Sequence, residues 1–137
     1  MSNAFYEKAA AKFGQALLSW TSGSGTLKVA CIKNTHTEDL VNDEFWGDGP
    51  SADIVGSAVA IGSPSVGADG VFDGNDVVFP TLSGVQVGAL IVFRDTGTPA
   101  TSPLILWIDT MSGLPFTPNG TDVNVTWDNG SDKIARL

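Results

Sequence analysis

Two apolar stretches decide the fold: QVGALIVFRD at residues 86–95 and SPLILWIDT at residues 102–110. The turn residues Thr96-Gly97-Thr98-Pro99 lie between them and indicate that each stretch is a separate strand. Ala89–Phe93 and Leu104–Ile108 are continuously apolar, which is typical of strands that are covered on both faces. We therefore expect the core on one side of them and either a helix or a neighbouring subunit on the other.

Outward from these stretches, the chain after residue 26 alternates apolar and polar residues with the period of two that indicates β-strands. Turn sequences rich in Gly, Asn and Asp divide it. The predicted strands are Leu27–Lys33, Asp53–Ile61, Gly70–Phe72, Asp76–Phe79, Gln86–Asp95, Ser102–Thr110, Asp122–Trp127 and Lys133–Leu137. Such spacing predicts a mainly β fold, a β-sandwich or jelly-roll-like barrel of seven or eight short antiparallel strands, in a single domain over residues 1–137.

The turn Asp128-Asn129-Gly130 is the clearest local prediction. Val123, Val125 and Trp127 alternate with polar residues before it. Asn-Gly suits a type I′ turn, because both residues tolerate positive φ. The sequence therefore predicts a tight turn between the last two strands.

The first segment predicts an α-helix over residues 4–19, capped by Ser2 or Asn3. Gly14 weakens its middle by roughly 1 kcal/mol relative to alanine, so packing must hold the helix in place. A helix that is followed by a small flexible loop often covers an open end or edge of a sheet. The expected apolar stripe, at steps of three or four residues, is Phe5, Ala9, Phe13, Ala16, Leu17 and Trp20.

Residues 34–50 form an irregular acidic and aromatic loop within the predicted β domain of residues 26–137. A loop of this length in so small a domain is often functional. Two interpretations of its aromatic pair, Phe45 and Trp46, remain open: the pair tucks under the end of the sheet, or it forms a contact patch for another chain. The other notable side chains of the loop are His36, Glu38, Asp39, Asp43, Glu44 and Asp48.

Charge is distributed unevenly, with 7 Lys plus Arg against 15 Asp plus Glu and a net charge of -8. Residues 1–33 contain four lysines, whereas Arg94 is the single base within residues 38–132. An acidic body repels phosphate backbones, so nucleic acid is not expected as a partner. No apolar run approaches the roughly 18 residues that span a bilayer, so no membrane partner is expected either. Either the acidic face is simply solvated, or the basic N-terminal part faces an acidic partner surface.

The sequence contains no pattern typical of catalysis, so we expect neither an enzyme nor a cofactor. A lone His36 without a partner His or Cys does not suggest a structural zinc site. Cys31 alternates with Val29 in an apolar run and is expected to be a small buried hydrophobe. The turn over residues 69–76 offers oxygen ligands for calcium, although Asp-Gly turn chemistry explains the same residues without an ion.

Four motifs spread over nearly the whole chain carry a family resemblance. They are NAFYEKA at residues 3–9, FRDTG at 93–97, LWID at 106–109 and GLPFTPNGTDVNVTWDNG at 113–130. With them the chain resembles a family of small structural proteins of tailed bacteriophages and prophages.

This resemblance implies a virion structural protein, made in the host cytoplasm. Within the family, the favoured role is a capsid decoration (cement) protein that binds the major capsid protein on the outer surface of the head and stabilises it. The alternative is a tail- or fibre-associated or host-recognition module. Small decoration proteins of phages are commonly trimers, so the resemblance also implies a homo-oligomer, with a trimer favoured.

Six apolar residues are the candidate interface of such an assembly, with the acidic body facing solvent. The competing interpretation is that all six complete the core of a monomer. They are Phe5, Phe13, Leu17 and Trp20 from the helical stripe and Phe45 and Trp46 from the loop.

Overall fold

The computed structural model describes residues 3–130 and 133–136, and these residues form ten β-strands and one α-helix. The strands are β1 (Ala4–Phe5), β2 (Thr26–Lys33), β3 (Ile54–Ala60), β4 (Ser65–Val66), β5 (Val71–Asp73), β6 (Val77–Phe79), β7 (Val87–Asp95), β8 (Leu104–Ile108), β9 (Val123–Val125) and β10 (Ala135–Arg136). The helix α1 spans Glu7–Gly14, and short 3-10 helices lie at Trp46–Asp48, Pro50–Asp53 and Pro99–Thr101. The predicted mainly β class with an N-terminal helix is confirmed.

A five-stranded sheet with the order β1-β8-β7-β2-β3 forms the centre of the structure. Two smaller sheets, β10-β5-β4 and β6-β9, complete the fold, and the strands of all three sheets pair antiparallel. β7 pairs with β2 along nearly its whole length and with β8 on its other side. The most apolar stretches of the sequence therefore lie side by side at the middle of the largest sheet.

Both faces of the central sheet are covered within the chain. On the first face, Phe72, Phe79 and Val125 of the smaller sheets belong to the main buried cluster. On the second face, Tyr6 and Trp46 are members of a separate buried cluster. All of β8 and most of β7 are buried, and each fully buried aliphatic side chain contributes roughly 1.5–3 kcal/mol. The expected double coverage is confirmed, and this chain's own helix and loop supply the second cover.

Two β-bulges interrupt the alternation of the central strands. In β7, Gly88 is the extra residue opposite the Ile32–Lys33 bond. A Cβ at Gly88 would lie 2.8 Å from the backbone Cα of Asn34, so only glycine fits at this position without a shift of the backbone. In β8, Ile105 is the extra residue opposite the Val92–Phe93 bond. An extra residue shifts the following side chains to the other face, and the strands stay apolar beyond each bulge because both faces of the sheet are covered.

The N-terminal helix begins later than predicted, at Glu7 instead of residue 4. Ala4–Phe5 pairs with β8 as an edge strand, and strand pairing therefore replaces the first turn of the predicted helix. Asn3 does not cap the helix. Its side-chain oxygen accepts the backbone N–H groups of Asp109 and Thr110, at 2.9 Å each, which fastens β1 to the end of β8. The other predicted cap, Ser2, lies outside the described residues.

The helix also ends earlier than predicted, because it stops at Gly14. Ala16 has a positive φ of 58°, and Leu17 and Trp20 follow in irregular backbone. The predicted continuous stripe from Phe5 to Trp20 is therefore wrong as a helical feature. No helix within the described residues has the length and apolar character needed to cross a bilayer.

The predicted type I′ turn at Asp128-Asn129-Gly130 is wrong. Neither Asn129 nor Gly130 is among the described residues with positive φ. The strands on either side have other partners, since β9 pairs with β6 and β10 pairs with β5. Long-range pairing therefore overrides the local hairpin signal. The short strand β4, which pairs with β5, was not predicted.

Arg94 fastens the segment after the helix to the end of β7. Its guanidinium donates to the backbone carbonyl oxygens of Ser19 at 3.1 Å, Trp20 at 2.8 Å and Gly25 at 3.4 Å. The residue is only 6% exposed, and its burial lowers the pKa of the guanidinium. Three carbonyl acceptors around one buried cation make residues 19–25 a fixed loop, although its Ser- and Gly-rich sequence suggested flexibility.

Candidate contact surface

Of the six candidate interface residues, the two tryptophans lie inside the chain. Trp20 is 2% exposed and donates its indole N–H to the carbonyl oxygen of Asp73 at 2.9 Å. Trp46 is 7% exposed and stacks on Phe93, with ring centroids 4.3 Å apart and an angle of 5° between the planes. Both side chains complete the core, as the monomer interpretation expects.

Phe5 and Phe13 are half-buried and form an aromatic cluster with Phe72 and Trp20. Phe72 lies edge-on to Phe5 at 5.6 Å and to Phe13 at 5.4 Å, and Trp20 is tilted against it at 4.9 Å. Edge-to-face pairs at these distances are stabilising beyond the burial of their area. The structure thus brings three of the six candidates together around a strand residue, Phe72, that the sequence did not single out.

Phe45 is half-buried and separates from its neighbour Trp46. It forms an isolated β-bridge with Pro103, and the ammonium of Lys12 lies 4.3 Å from the centre of its ring. Lys12 also forms an ion pair with Glu44 at 2.7 Å. Of the two open interpretations of this aromatic pair, the one in which the ring is buried against the sheet describes Trp46. Phe45 instead keeps part of its ring at the surface beside the helix.

Leu17 is the only one of the six that is strongly exposed, at 71%. Its backbone N–H donates to the carbonyl of Lys12 at 2.8 Å, and the fixed loop begins two residues later. The interpretation that all six residues complete one core is therefore wrong for Leu17. Residues 13–27 contain no charged side chain, so the sequence neighbours of Leu17 on both sides are uncharged.

The loop over residues 34–50 is well anchored. The carboxylate of Asp48 accepts the backbone N–H groups of Glu44 and Phe45 at 2.9 and 2.8 Å. The N–H of Leu104 donates to the carbonyl of Glu44 at 2.9 Å, which attaches the loop to the start of β8. At the other end of the loop, His36 Nδ1 lies 2.6 Å from a carboxylate oxygen of Asp53. The loop is a fixed cover of the second face.

Two buried polar atoms beneath this cover, Oη of Tyr6 and Nε2 of His36, have no hydrogen-bond partner within the described residues. The pKa of Tyr6 is raised, first by burial and then by the negative charges of Asp43 and Glu38. The pKa of Asp43 is also raised, by desolvation first and then by repulsion from other loop carboxylates. Ionisation of Tyr6 and of Asp43 is therefore disfavoured in the fold, by burial first and by nearby carboxylates second.

Three of the four lysines in the basic N-terminal part of the sequence form ion pairs within the chain. Lys28 pairs with Asp95 at 2.7 Å and Lys33 pairs with Asp53 at 2.8 Å, in addition to the pair of Lys12. The pKa values of Asp53 and Asp95 are lowered, chiefly by the hydrogen bonds from these lysines. Much of the positive charge of the lysine-rich segment is thus paired with acids of this chain.

The residues that the sequence analysis considered for catalysis or metal binding have the following surroundings. Cys31 is buried as predicted, and burial raises the pKa of its thiol to about 12. His36 has a carboxylate partner in Asp53. No group of three or more His, Cys, Asp or Glu side chains in the described ranges is placed to hold a metal ion.

The turn over residues 69–76, which the sequence offered for calcium, has a structural function. The carboxylate of Asp76 accepts the backbone N–H of Trp127 at 2.9 Å, and the carbonyl of Asn75 accepts its indole N–H at 2.8 Å. All four tryptophans of the chain are at most 7% exposed, so none presents an open ring face at the surface.

Sequence reasoning missed an apolar cleft of about 960 Å³. It lies between β1 and the end of β8 on one side and β9 with residues 133–136 on the other. Met111, Leu114 and Phe116 line it from the irregular segment after β8, which no predicted strand included. Their apolar character outside any strand was the available signal. The cleft gives the protein a concave apolar surface in addition to Leu17.

Comparison with known proteins leaves the family open. No protein-family model matches the chain, and no curated protein is similar enough to count as a relative. The resemblance to phage structural proteins therefore stays a prediction.

Proposed function

We propose that this protein is a capsid decoration protein, a virion structural protein that binds the major capsid protein on the outer surface of a phage head. The observation that carries the proposal is the exposure of Leu17, at 71%, immediately before a loop that Arg94 holds in place. The proposal joins this surface feature to the sequence resemblance stated above.

An exposed apolar side chain next to an ordered loop is suited to binding another protein. Association loses free energy when loops and side chains must be ordered at the interface. Here the three hydrogen bonds of Arg94 order the backbone of residues 19–25 before any partner arrives. The centres of protein interfaces are also depleted in charged residues, as residues 13–27 are.

The remaining surface suits exposure to solvent. Three N-terminal lysines are already paired within the chain, so the excess acids that give the net charge of -8 dominate the surface. A strong net charge keeps a protein soluble and opposes non-specific association. On a phage head this would leave an apolar contact side and an acidic outer side.

Binding to the assembled lattice, and not to free subunits, would stabilise the shell by mass action. A homo-oligomer, with a trimer favoured, would contact several capsid subunits at once. Linked contacts raise the overall affinity through effective concentration, without any new contact in each copy. With several linked contacts in one oligomer, each single contact surface needs less affinity of its own.

Cosedimentation of the purified protein with heads that lack it tests the proposal. We expect Leu17→Asp to weaken binding by at least about ten-fold, since an interface centre tolerates a buried charge poorly. Val85→Asp is the matched control, because Val85 is 60% exposed and distant in sequence. It should bind as the unchanged protein does.

A second variant, Phe45→Ala, asks whether the loop takes part; unchanged affinity of the folded variant would remove the loop from the interface. The copy number per virion, read against the major capsid protein on a stained gel, separates a head decoration protein from a tail or fibre module. Failure of the unchanged protein to bind heads, together with a few copies per virion, would contradict the proposal.

A further inference from the structure

The chain contains two Asn-Gly sequences, Asn119-Gly120 and Asn129-Gly130, which the fold holds in different ways. We propose that Asn129 is a site of spontaneous deamidation in the folded protein and that the fold protects Asn119. The inference is independent of the proposed function, because it rests on the backbone and side-chain contacts at the two sites.

Deamidation requires the backbone nitrogen after the asparagine to reach Cγ of that asparagine. The nitrogen of Gly130 attacks Cγ of Asn129 and forms a new carbon–nitrogen bond, while its proton leaves to water. The bond between Cγ and the amide nitrogen Nδ2 of Asn129 breaks, and ammonia departs with that nitrogen. Water then opens the five-membered imide at either carbonyl, which gives aspartate or isoaspartate. The only co-reactant is water, and no atom is oxidised or reduced.

At Asn119 both reacting groups are held apart by the fold. The N–H of Gly120 donates to the carbonyl of Leu82 at 2.7 Å, so this nitrogen is committed to a contact far away in sequence. The side-chain oxygen of Asn119 accepts the hydroxyl of Thr121 at 2.6 Å and its N–H at 3.3 Å. Gly120 also has a φ of 88°, a conformation that the surrounding contacts fix. Reaction here requires several contacts to break together.

At Asn129 the contacts are local. Asn129 and Gly130 are both exposed. Among residues 3–130 and 133–136, the N–H of Gly130 donates only to the side chain of Asp128, at 3.0 Å, and that exposed carboxylate can rotate away without disturbing the sheets. No hydrogen bond of the Asn129 side chain occurs within the described residues. Rotation of Asn129 toward Gly130 therefore needs little rearrangement.

The product would change the surface at one defined place. An aspartate or isoaspartate at position 129 adds a negative charge beside Asp128, which lines the apolar cleft. Aged protein would therefore be more acidic at the rim of this cleft, and an isoaspartate would lengthen the backbone there by one bond.

Incubation of the full-length protein at neutral pH and elevated temperature, followed by peptide mass spectrometry, tests the proposal within one molecule. We expect residue 129 to deamidate at least about ten-fold faster than residue 119, because the folded structure restricts the required geometry at only one of the two sites. In concentrated urea the two sites should react at similar rates. Equal rates in the folded protein, or a ratio that persists in urea, would overturn the proposal.

Two variants sharpen the assignment. Asn129→Gln should remove most of the acidic species seen by charge-based separation, whereas Asn119→Gln should leave them unchanged. Thr121→Val removes the hydroxyl that holds the Asn119 side chain and should accelerate reaction at residue 119 and leave residue 129 unaffected. An accumulation of acidic species that survives Asn129→Gln would place the modification elsewhere and overturn the inference.

Discussion

The two faces of the central sheet are closed by different kinds of structure. The smaller sheets cover the first face, with Phe72 and Phe79 as buried strand residues. The short helix and the irregular loop cover the second face, with Tyr6 and Trp46 as their buried residues. Strands thus meet one face, whereas a short helix and irregular backbone meet the other, yet the buried side chains of both are only a few per cent exposed.

This difference shows that burial does not depend on regular secondary structure, provided that the backbone polar groups find partners. On the first face the strand pairs supply those partners. On the second face they come from the carboxylate of Asp48 and from the carbonyl of Glu44. The loop that covers the second face depends on specific polar side chains. Single substitutions of these side chains should therefore lower the stability more than substitutions in most surface loops do.

The largest effect is expected from Trp46→Ala, which removes the stacked ring from the second face. Loss of a buried aromatic side chain should lower the free energy of unfolding by about 3–5 kcal/mol, similar to Phe79→Ala on the first face. Urea unfolding measures both values. Phe45→Ala is the control within the same loop and should cost about 1 kcal/mol, since that ring is half-buried. If Trp46→Ala lowers the free energy of unfolding much less than Phe79→Ala does, the covers of the two faces do not contribute equally to stability.

An intermediate effect is expected from Arg94→Lys, because Arg94 holds residues 19–25 against the end of β7. An ammonium cannot reproduce the guanidinium contacts with Ser19, Trp20 and Gly25, and hydrogen bonds from a charged group contribute about 1.5–3 kcal/mol. We expect a loss of about 2 kcal/mol in the free energy of unfolding, together with faster amide hydrogen exchange in residues 19–25. Unchanged exchange there would show that Arg94 does not order the loop.

The smallest effect is expected from Asp43→Asn, and its sign is stabilising. Because the pKa of Asp43 is raised in the fold, its protonated form is favoured. Its stabilising contribution is present below its ordinary pKa of 3.8 and is lost as the pH rises through the folded value. The variant should therefore equal the original protein in acid and exceed it by about 0.5 kcal/mol at neutral pH, after solvent screening.

Asp39→Asn is the matched control for this pH dependence. The pKa of Asp39 is lowered, first by the side-chain hydrogen bond from Asn42, so its charge stabilises the fold above its ordinary pKa. This variant should be less stable than the original protein at neutral pH. If Asp43→Asn and Asp39→Asn shift the stability at neutral pH in the same direction, the two carboxylates do not have the opposite effects on stability that their surroundings indicate.

Most of the strands were predictable, because their apolar residues must be buried whichever strands pair with one another. β2, β3, β7 and β8 lie within a residue or two of their predicted bounds. The errors fall where distant partners decide the backbone: Ala4–Phe5 is a strand because β8 offers an edge, and Asp128–Gly130 is not a hairpin turn.

The candidate contact residues were predictable only as apolar residues. Sequence spacing placed Leu17 and Trp20 on one helical stripe, but the helix ends at Gly14, which leaves Leu17 exposed and directs Trp20 into the core. No sequence signal marked Arg94 as the residue that fixes the intervening loop. The apolar cleft likewise depends on how β1, β8 and β9 are arranged in space.

The sequence by itself determined the fold class, because the strand period and the turn residues are local properties of the chain. It also determined that Cys31 would be buried and that the protein would be acidic. Only the tertiary structure decided which lysines meet which acids, which aromatic rings reach the surface and which of two identical Asn-Gly pairs is held in place. These outcomes depend on contacts between residues far apart in the sequence, whose free energies no local pattern records.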